Sequence, residues 1–279
     1  MRFVQDPLLA RNVLPRYRAL LRGERYPYFL RAAPEHEALM LEYFQRLLGG
    51  ELHTGTPWRI FARDFQRTTN RNVLKVANAS GLMDWFEAHF PCRTVYLLRH
   101  PIPTVLSQAE YAMEPRTASF LGDAWFAEQV LTGAQRARAE AVLKSGDALA
   151  QRVVDWCCEN LIPLTRSDLS GRLVLTYEEL SANPAPVLRR LMDHCELRAL
   201  EKLSARFRVP SATASAAARS GVKAAHWLRW RSALPPERIQ ELMALCAEFG
   251  IDVYAADSAA PRRFVLDPAS FAGLPGGQV

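Results

Sequence analysis

Three short, mostly apolar runs punctuate the chain: Val73-Leu74-Lys75-Val76-Ala77 after Asn72, Thr94-Val95-Tyr96-Leu97-Leu98, and Leu173-Val174-Leu175-Thr176 after Arg172. Each is too short for a buried helix and rich in branched side chains, so each predicts a strand. Between them apolar residues recur at helical spacing. Residues 35–48 carry Leu39, Tyr43 and Leu47 before a Gly49-Gly50 stop. Ser80, an N-cap by residue type, precedes Leu82, Trp85, Phe86 and His89 on one face, ended by Phe90-Pro91. Residues 110–167 read as mostly helical, and Asn183-Pro184 opens a helix whose apolar face is Leu188, Leu191, Met192 and Cys195. A last helix, 236–249, carries Ile239, Leu242, Met243 and Cys246. The first fifty residues otherwise look irregular, broken by Pro7, Pro15, Pro27 and Pro34, while 208–226 and the tail after Tyr254 read as loop.

Strands alternating with helices predict an α/β fold with a parallel sheet. In such folds ligands bind beyond the carboxyl ends of strands, where a following helix presents unpaired N–H groups and its positive dipole end. The second run ends at Arg99, passes Pro101 and Pro103, and resumes as a helix containing Ser107. A guanidinium fork and a hydroxyl on one crevice suit a phosphate-like anion. The plainer alternative is that Arg99 closes the strand with a surface ion pair and Ser107 faces solvent.

Composition narrows the field. The 279 residues fit one large domain or two small ones, and 49% hydrophobic with 23% charged residues is ordinary globular material. The net charge of +6 suits an anionic ligand, but the basic residues are scattered, which does not indicate a nucleic-acid surface. No apolar run reaches a membrane span, and the N-terminus lacks the apolar core of a signal peptide. The five cysteines, Cys92, Cys157, Cys158, Cys195 and Cys246, form no C-x-x-C pair, so free thiols in a cytoplasmic protein are expected. The six histidines show no metal-ligand spacing, and no metal site is expected.

The Arg99-x-Pro101-x5-Ser107 spacing resembles the 3′-phosphate-binding segment of sulfotransferases dependent on 3′-phosphoadenosine 5′-phosphosulfate (PAPS). The order of features extends the resemblance: a Lys75-bearing strand, a Leu-x-x-Trp helix ending in Phe-Pro, the strand to Arg99, and the Tyr177-Glu178-x-Leu180-x-x-Asn183-Pro184 string. It implies a three-layer, P-loop-like nucleotide-binding fold, a short parallel sheet flanked by many helices, in a single domain over 1–279. It further implies PAPS as co-substrate, Arg99 and Ser107 on its 3′-phosphate, Tyr177 near the adenine, and Lys75 near the transferring group. Arg219, in a stretch partly similar to the family's Arg-Lys-Gly-x-x-Gly-Asp-Trp loop, would also touch the nucleotide. The acceptor would be a small molecule or a glycan or lipid, with no nucleic-acid partner. For Lys75 the plainer alternative is a lysine snorkelling at a strand end.

One family element is missing. No strand followed by a Gly-rich Ser-Gly-Thr loop precedes Lys75. Thr54-Gly55-Thr56-Pro57-Trp58 is similar only superficially, because Pro57 removes a needed N–H and Lys75 follows too soon. The N-terminal strand and phosphate loop are thus expected to be missing, through truncation or true loss. Where many cytosolic members place a His base, this chain has Ala77; the base stays unassigned, with Glu110 as a candidate. The expectation is sulfuryl transfer from PAPS to a hydroxyl or amine, or alternatively a sulfotransferase-like protein that binds without transfer. A small-molecule kinase ranks last, since no Gly-x4-Gly-Lys-Ser/Thr occurs.

Overall fold

Two pairs of parallel strands, each surrounded by helices, make up the α/β architecture. The computed structural model describes residues 2–22, 27–52, 71–197, 223–266 and 271. The chain divides into two compact units, Met1–Cys92 and Arg93–Val279.

In the first unit, β1 (Arg2–Gln5) pairs in parallel with β2 (Asn72–Lys75), Val4 lying opposite Leu74. The pattern predicts β2 but not β1, because only Phe3 and Val4 of Arg2-Phe3-Val4-Gln5 are apolar and no run marks a strand there. A 3-10 turn at Pro15–Leu21 and helix α1 (Pro34–Gly49) pack over this pair. Pro34 sits in the first turn of α1, and Gly50, at φ 85°, closes its C-terminus. Met40, Tyr43, Phe44 and Leu47 form the buried stripe of α1 with Leu8, Val13, Tyr17 and Leu20. Tyr43 keeps its hydroxyl satisfied in this core by donating to the Pro7 carbonyl at 2.7 Å. Helix α2 (Met83–His89) docks Phe86 edge-on to Phe44, centroids 4.7 Å apart.

Ser80 does not cap α2 as its residue type suggests. It opens a 3-10 turn (Ser80–Leu82), and its hydroxyl meets Tyr28 Oη at 2.6 Å. Gly81, next to it, passes so close to Leu30 that a Cβ there would lie 2.2 Å from the Leu30 carbonyl oxygen.

The second unit is built on β3 (Val95–Leu98) and β4 (Leu173–Thr176), parallel and in register from Val95 opposite Leu173 to Leu98 opposite Thr176. Parallel neighbours need a crossover, and here it is long and helical: α3 (Pro101–Glu110), α4 (Thr117–Gly122), a π-turn at Phe126–Val130, α5 (Gly133–Ser145) and α6 (Ala148–Thr165). Helix α6 supplies the central core, with Val153, Val154, Trp156, Cys157, Cys158 and Leu161 buried. Asp147 caps its start, accepting from Leu149 and Ala150 N–H at 3.1 and 3.0 Å, and also pairs with Arg238.

Asp155, only 3% exposed in the middle of α6, accepts from the Arg116 N–H and the Thr117 hydroxyl, both at 2.6 Å. It thereby ties the start of α4 to α6. Burial pushes its carboxyl up to about 6.

After β4 come α7 (Tyr177–Ala182) and α8 (Pro184–His194), then a 3-10 segment at Lys223–Ser232 and α9 (Pro236–Glu248). Asn183 and Pro184 hold the expected cap and first positions of α8, though the Asn183 side chain caps no helix N–H. Val187, Leu188 and Met192 form the buried face of α8. On α9 that face is Ile239, Leu242, Met243, Leu245 and Cys246.

Candidate functional site: the carboxyl ends of β3 and β4

Because Leu98 lies opposite Thr176, the next residue of each strand, Arg99 and Tyr177, leaves the sheet beside the other. The Arg99 guanidinium carbon sits 4.6 Å from the Tyr177 ring centroid, in cation–π contact. Its Nε is buried with no hydrogen-bond partner among the described residues. A guanidinium held by an aromatic face, with a donor unspent, differs from a strand closed by a surface ion pair. Ser107, half-buried, lies in the second turn of α3.

The start of α3 does not offer the unpaired N–H groups expected of it. Pro101 and Pro103 have none, Ile102 N–H is taken by the Nδ1 of His100 at 3.2 Å, and Thr104 N–H returns to the His100 carbonyl at 3.3 Å. Any anion here is therefore held by side chains rather than by the helix backbone.

His100 is wholly buried, stacked on Trp230 at 4.2 Å and edge-on to Tyr254 at 4.9 Å. Its Nε2 lies 3.4 Å from the Ala255 carbonyl, so one neutral tautomer, Nε2 donating and Nδ1 accepting, satisfies both contacts. Burial, reinforced by the Arg99 and Arg231 charges, pushes its pKa down to about 3.

Glu178 is equally buried. One carboxylate oxygen accepts the His100 backbone N–H at 2.9 Å and the other the Tyr254 hydroxyl at 2.8 Å. Burial raises its pKa, while these hydrogen bonds and the nearby Arg99 charge pull the other way. Glu179 accepts the Leu266 N–H at 2.8 Å. The acids of this string are thus internal braces.

The remaining sequence candidates lie elsewhere. Lys75 ends β2 in the first unit, its ammonium half-exposed and 3.2 Å from an oxygen of buried Asp6. Asp6 follows β1 in a left-handed conformation, φ 46°, and accepts the Ala77 N–H at 3.2 Å. Nothing in the sequence pattern marks Asp6 as the partner of Lys75, 69 positions away. Glu110 is exposed at the end of α3. Arg219, its surrounding loop and the Thr54–Trp58 stretch lie outside the described residues.

Chemically, the β3–β4 edge can bind an anion through one anchored guanidinium, with Ser107 on the following helix and a buried carboxylate behind. Among the described residues no cluster of His, Cys, Asp or Glu could hold a metal ion, and no helix is long and apolar enough to cross a membrane. Set against protein-family models, curated proteins and solved structures, the chain gave no match.

Proposed function

We propose that this chain is a PAPS-dependent sulfotransferase-like protein that binds the 3′-phosphate of the nucleotide through Arg99 and Ser107, with Tyr177 beside the adenine. The observation that carries the reading is the Arg99 guanidinium, stacked on Tyr177 at the carboxyl edge of a parallel strand pair with Nε unspent. PAPS supplies a sulfuryl group whose bond to the bridging oxygen breaks as an acceptor oxygen or nitrogen bonds to sulfur, the electron pair leaving with adenosine 3′,5′-bisphosphate. The protein's part is to orient the nucleotide and stabilise the charge on the departing phosphate. In this reading Arg219 adds a nucleotide contact, and the acceptor is a small molecule, glycan or lipid bearing a hydroxyl or amine.

One observation favours binding without transfer. The residues after β1 are Asp6-Pro7-Leu8, an acid and an N–H-free residue where a sulfate-cradling loop needs glycine and backbone donors, and Asp6 already engages Lys75.

Calorimetric titration with adenosine 3′,5′-bisphosphate tests the common part of both readings. Expected is a Kd of about micromolar, weakened roughly 10–100-fold in Arg99→Ala, as for loss of hydrogen bonds to a charged group. No binding by the folded chain overturns both. Incubation with PAPS and a panel of hydroxyl and amine acceptors then separates them, since only a transferase releases the bisphosphate in an acceptor-dependent way.

A further inference from the structure

A carboxylate taken out of water is costly unless its hydrogen bonds are replaced, and the cost is greater when neither partner is a cation. Glu178 is 1% exposed, and its two partners are both neutral: a backbone N–H and a phenol. The N–H belongs to the peptide that joins Arg99 to His100. Accepting from it fixes the plane of that peptide, and with it the direction in which the Arg99 side chain leaves the backbone. Tyr177, the residue before Glu178, supplies the ring under the same guanidinium. Two successive residues of α7 thus hold one arginine, one by its backbone and one by its side chain.

We propose that Glu178 is a positioning residue for Arg99, and that its charge links anion binding at Arg99 to the uptake of a proton. The proposal rests on the reading of Arg99 as an anion site. A dianion on Arg99 disfavours a second negative charge behind it, so binding raises the proton affinity of Glu178; by reciprocity, a protonated Glu178 strengthens binding. Of the other groups around this carboxylate, the neighbouring histidine and phenol do not share that role near neutral pH. The Arg99 and Arg231 guanidinium groups bear on His100, which is held neutral, and burial keeps the Tyr254 phenol protonated. Glu179, buried on the same helix and accepting the Leu266 N–H, is the other carboxylate nearby, and the Glu178→Gln comparison below separates the two. Burial already pushes the Glu178 carboxyl upward, the same direction in which a dianion on Arg99 moves it.

The test uses the full chain and two probes: adenosine 3′,5′-bisphosphate for affinity, and sulfate, which carries no titrating proton near neutrality, for proton linkage. Glu178→Ala is expected to weaken bisphosphate binding about tenfold, the scale of one hydrogen bond made by a charged group. Glu178→Gln, whose amide oxygen still accepts the His100 N–H, should stay within about threefold of the parent, under half of that free energy. Sulfate titrations in two buffers of different ionisation enthalpy should show fractional proton uptake in the parent chain and none in Glu178→Gln. If Glu178→Ala does not fold, Tyr254→Phe carries the test: it removes one donor to the carboxylate and should move the pH midpoint of sulfate affinity upward. A parent chain that binds and depends on Arg99, but whose Glu178 variants match it in affinity and proton uptake, overturns this proposal alone. A parent chain that binds neither probe overturns it together with the reading of Arg99.

Discussion

Arg99 and His100 are consecutive, yet one is a cation with an unspent donor and the other a histidine kept neutral by burial. That neutrality has a thermodynamic sign. A histidine at about 3 in the fold and about 6.5 in the unfolded chain stabilises fully above pH 6.5 and loses that contribution as pH falls toward 3. Asp155 works in the opposite direction. Raised to about 6, its contribution is fullest below the unfolded carboxyl value of 3.8 and is lost as pH rises through 6. Between pH 6.5 and 4.5 His100 costs about 2 kcal/mol and Asp155 returns about 2 kcal/mol, at up to about 1.36 kcal/mol per unit. The parent should therefore show a shallow dependence across this window. His100→Asn, which keeps a side-chain acceptor for Ile102 N–H, should gain stability on acidification, and Asp155→Asn should lose it more steeply than the parent. Urea unfolding at the two pH values checks all three slopes. The resemblance carried by the Arg99-x-Pro101-x5-Ser107 segment and the Tyr177-Glu178 string points to Arg99 and Tyr177, because a strand-end arginine and a Tyr-Glu string leave a local mark. The bond from Glu178 to His100 spans 78 positions and that of Lys75 to Asp6 spans 69, so neither leaves a local pattern to read.

Helices announce themselves where one face is apolar and both ends are punctuated. Helix α1, expected over 35–48, runs Pro34–Gly49, and α9, expected over 236–249, runs Pro236–Glu248. Strand β1 is silent because its four residues, Arg2-Phe3-Val4-Gln5, hold only two apolar side chains between a charged and a polar one. The turn before α2 illustrates a further limit. Ser80 looks like a cap, but the local structure is set by Gly81, where Leu30 backbone occupies the space of a side chain. Gly81→Ala should destabilise the chain by roughly 1–3 kcal/mol or more, since backbone rather than a flexible side chain must give way. Chemical denaturation compared with Gly133→Ala, where a Cβ meets open space, isolates the steric part. Asp147 does two jobs, capping α6 and pairing with Arg238 of α9. Its replacement by Ala should cost about 1–2 kcal/mol, the range for losing an N-cap, and a lower urea midpoint at unchanged m-value would show it.

At the scale of the whole molecule, the chemistry divides between two compact units. Arg99, Ser107 and Tyr177 belong to the second, while Lys75 and its partner Asp6 belong to the first. Adenosine 3′,5′-bisphosphate should accordingly slow amide exchange most over residues 98–107 and 176–182, a pattern that exchange mass spectrometry resolves peptide by peptide. Equal protection throughout both units would point instead to global stabilisation by mass action. The α/β class was legible because strand and helix periods alternate along the chain. The assignment of β2 and β3 to separate strand pairs was not, because pairing is fixed by tertiary contacts that no single run encodes.

The closed start of α3 has an implication for how such a site changes over time. A phosphate cradle made of peptide N–H groups is indifferent to most substitutions, since every residue but proline carries the same donor. Here Pro101, Pro103 and the ring of His100 remove those donors from use, leaving recognition to side chains that the genetic code can exchange one at a time. On the proposed reading of this edge as an anion site, specificity is easy to alter: a single codon change at Arg99 or Ser107 would abolish or redirect binding while the helix, its cap and the strand pair beneath stay intact.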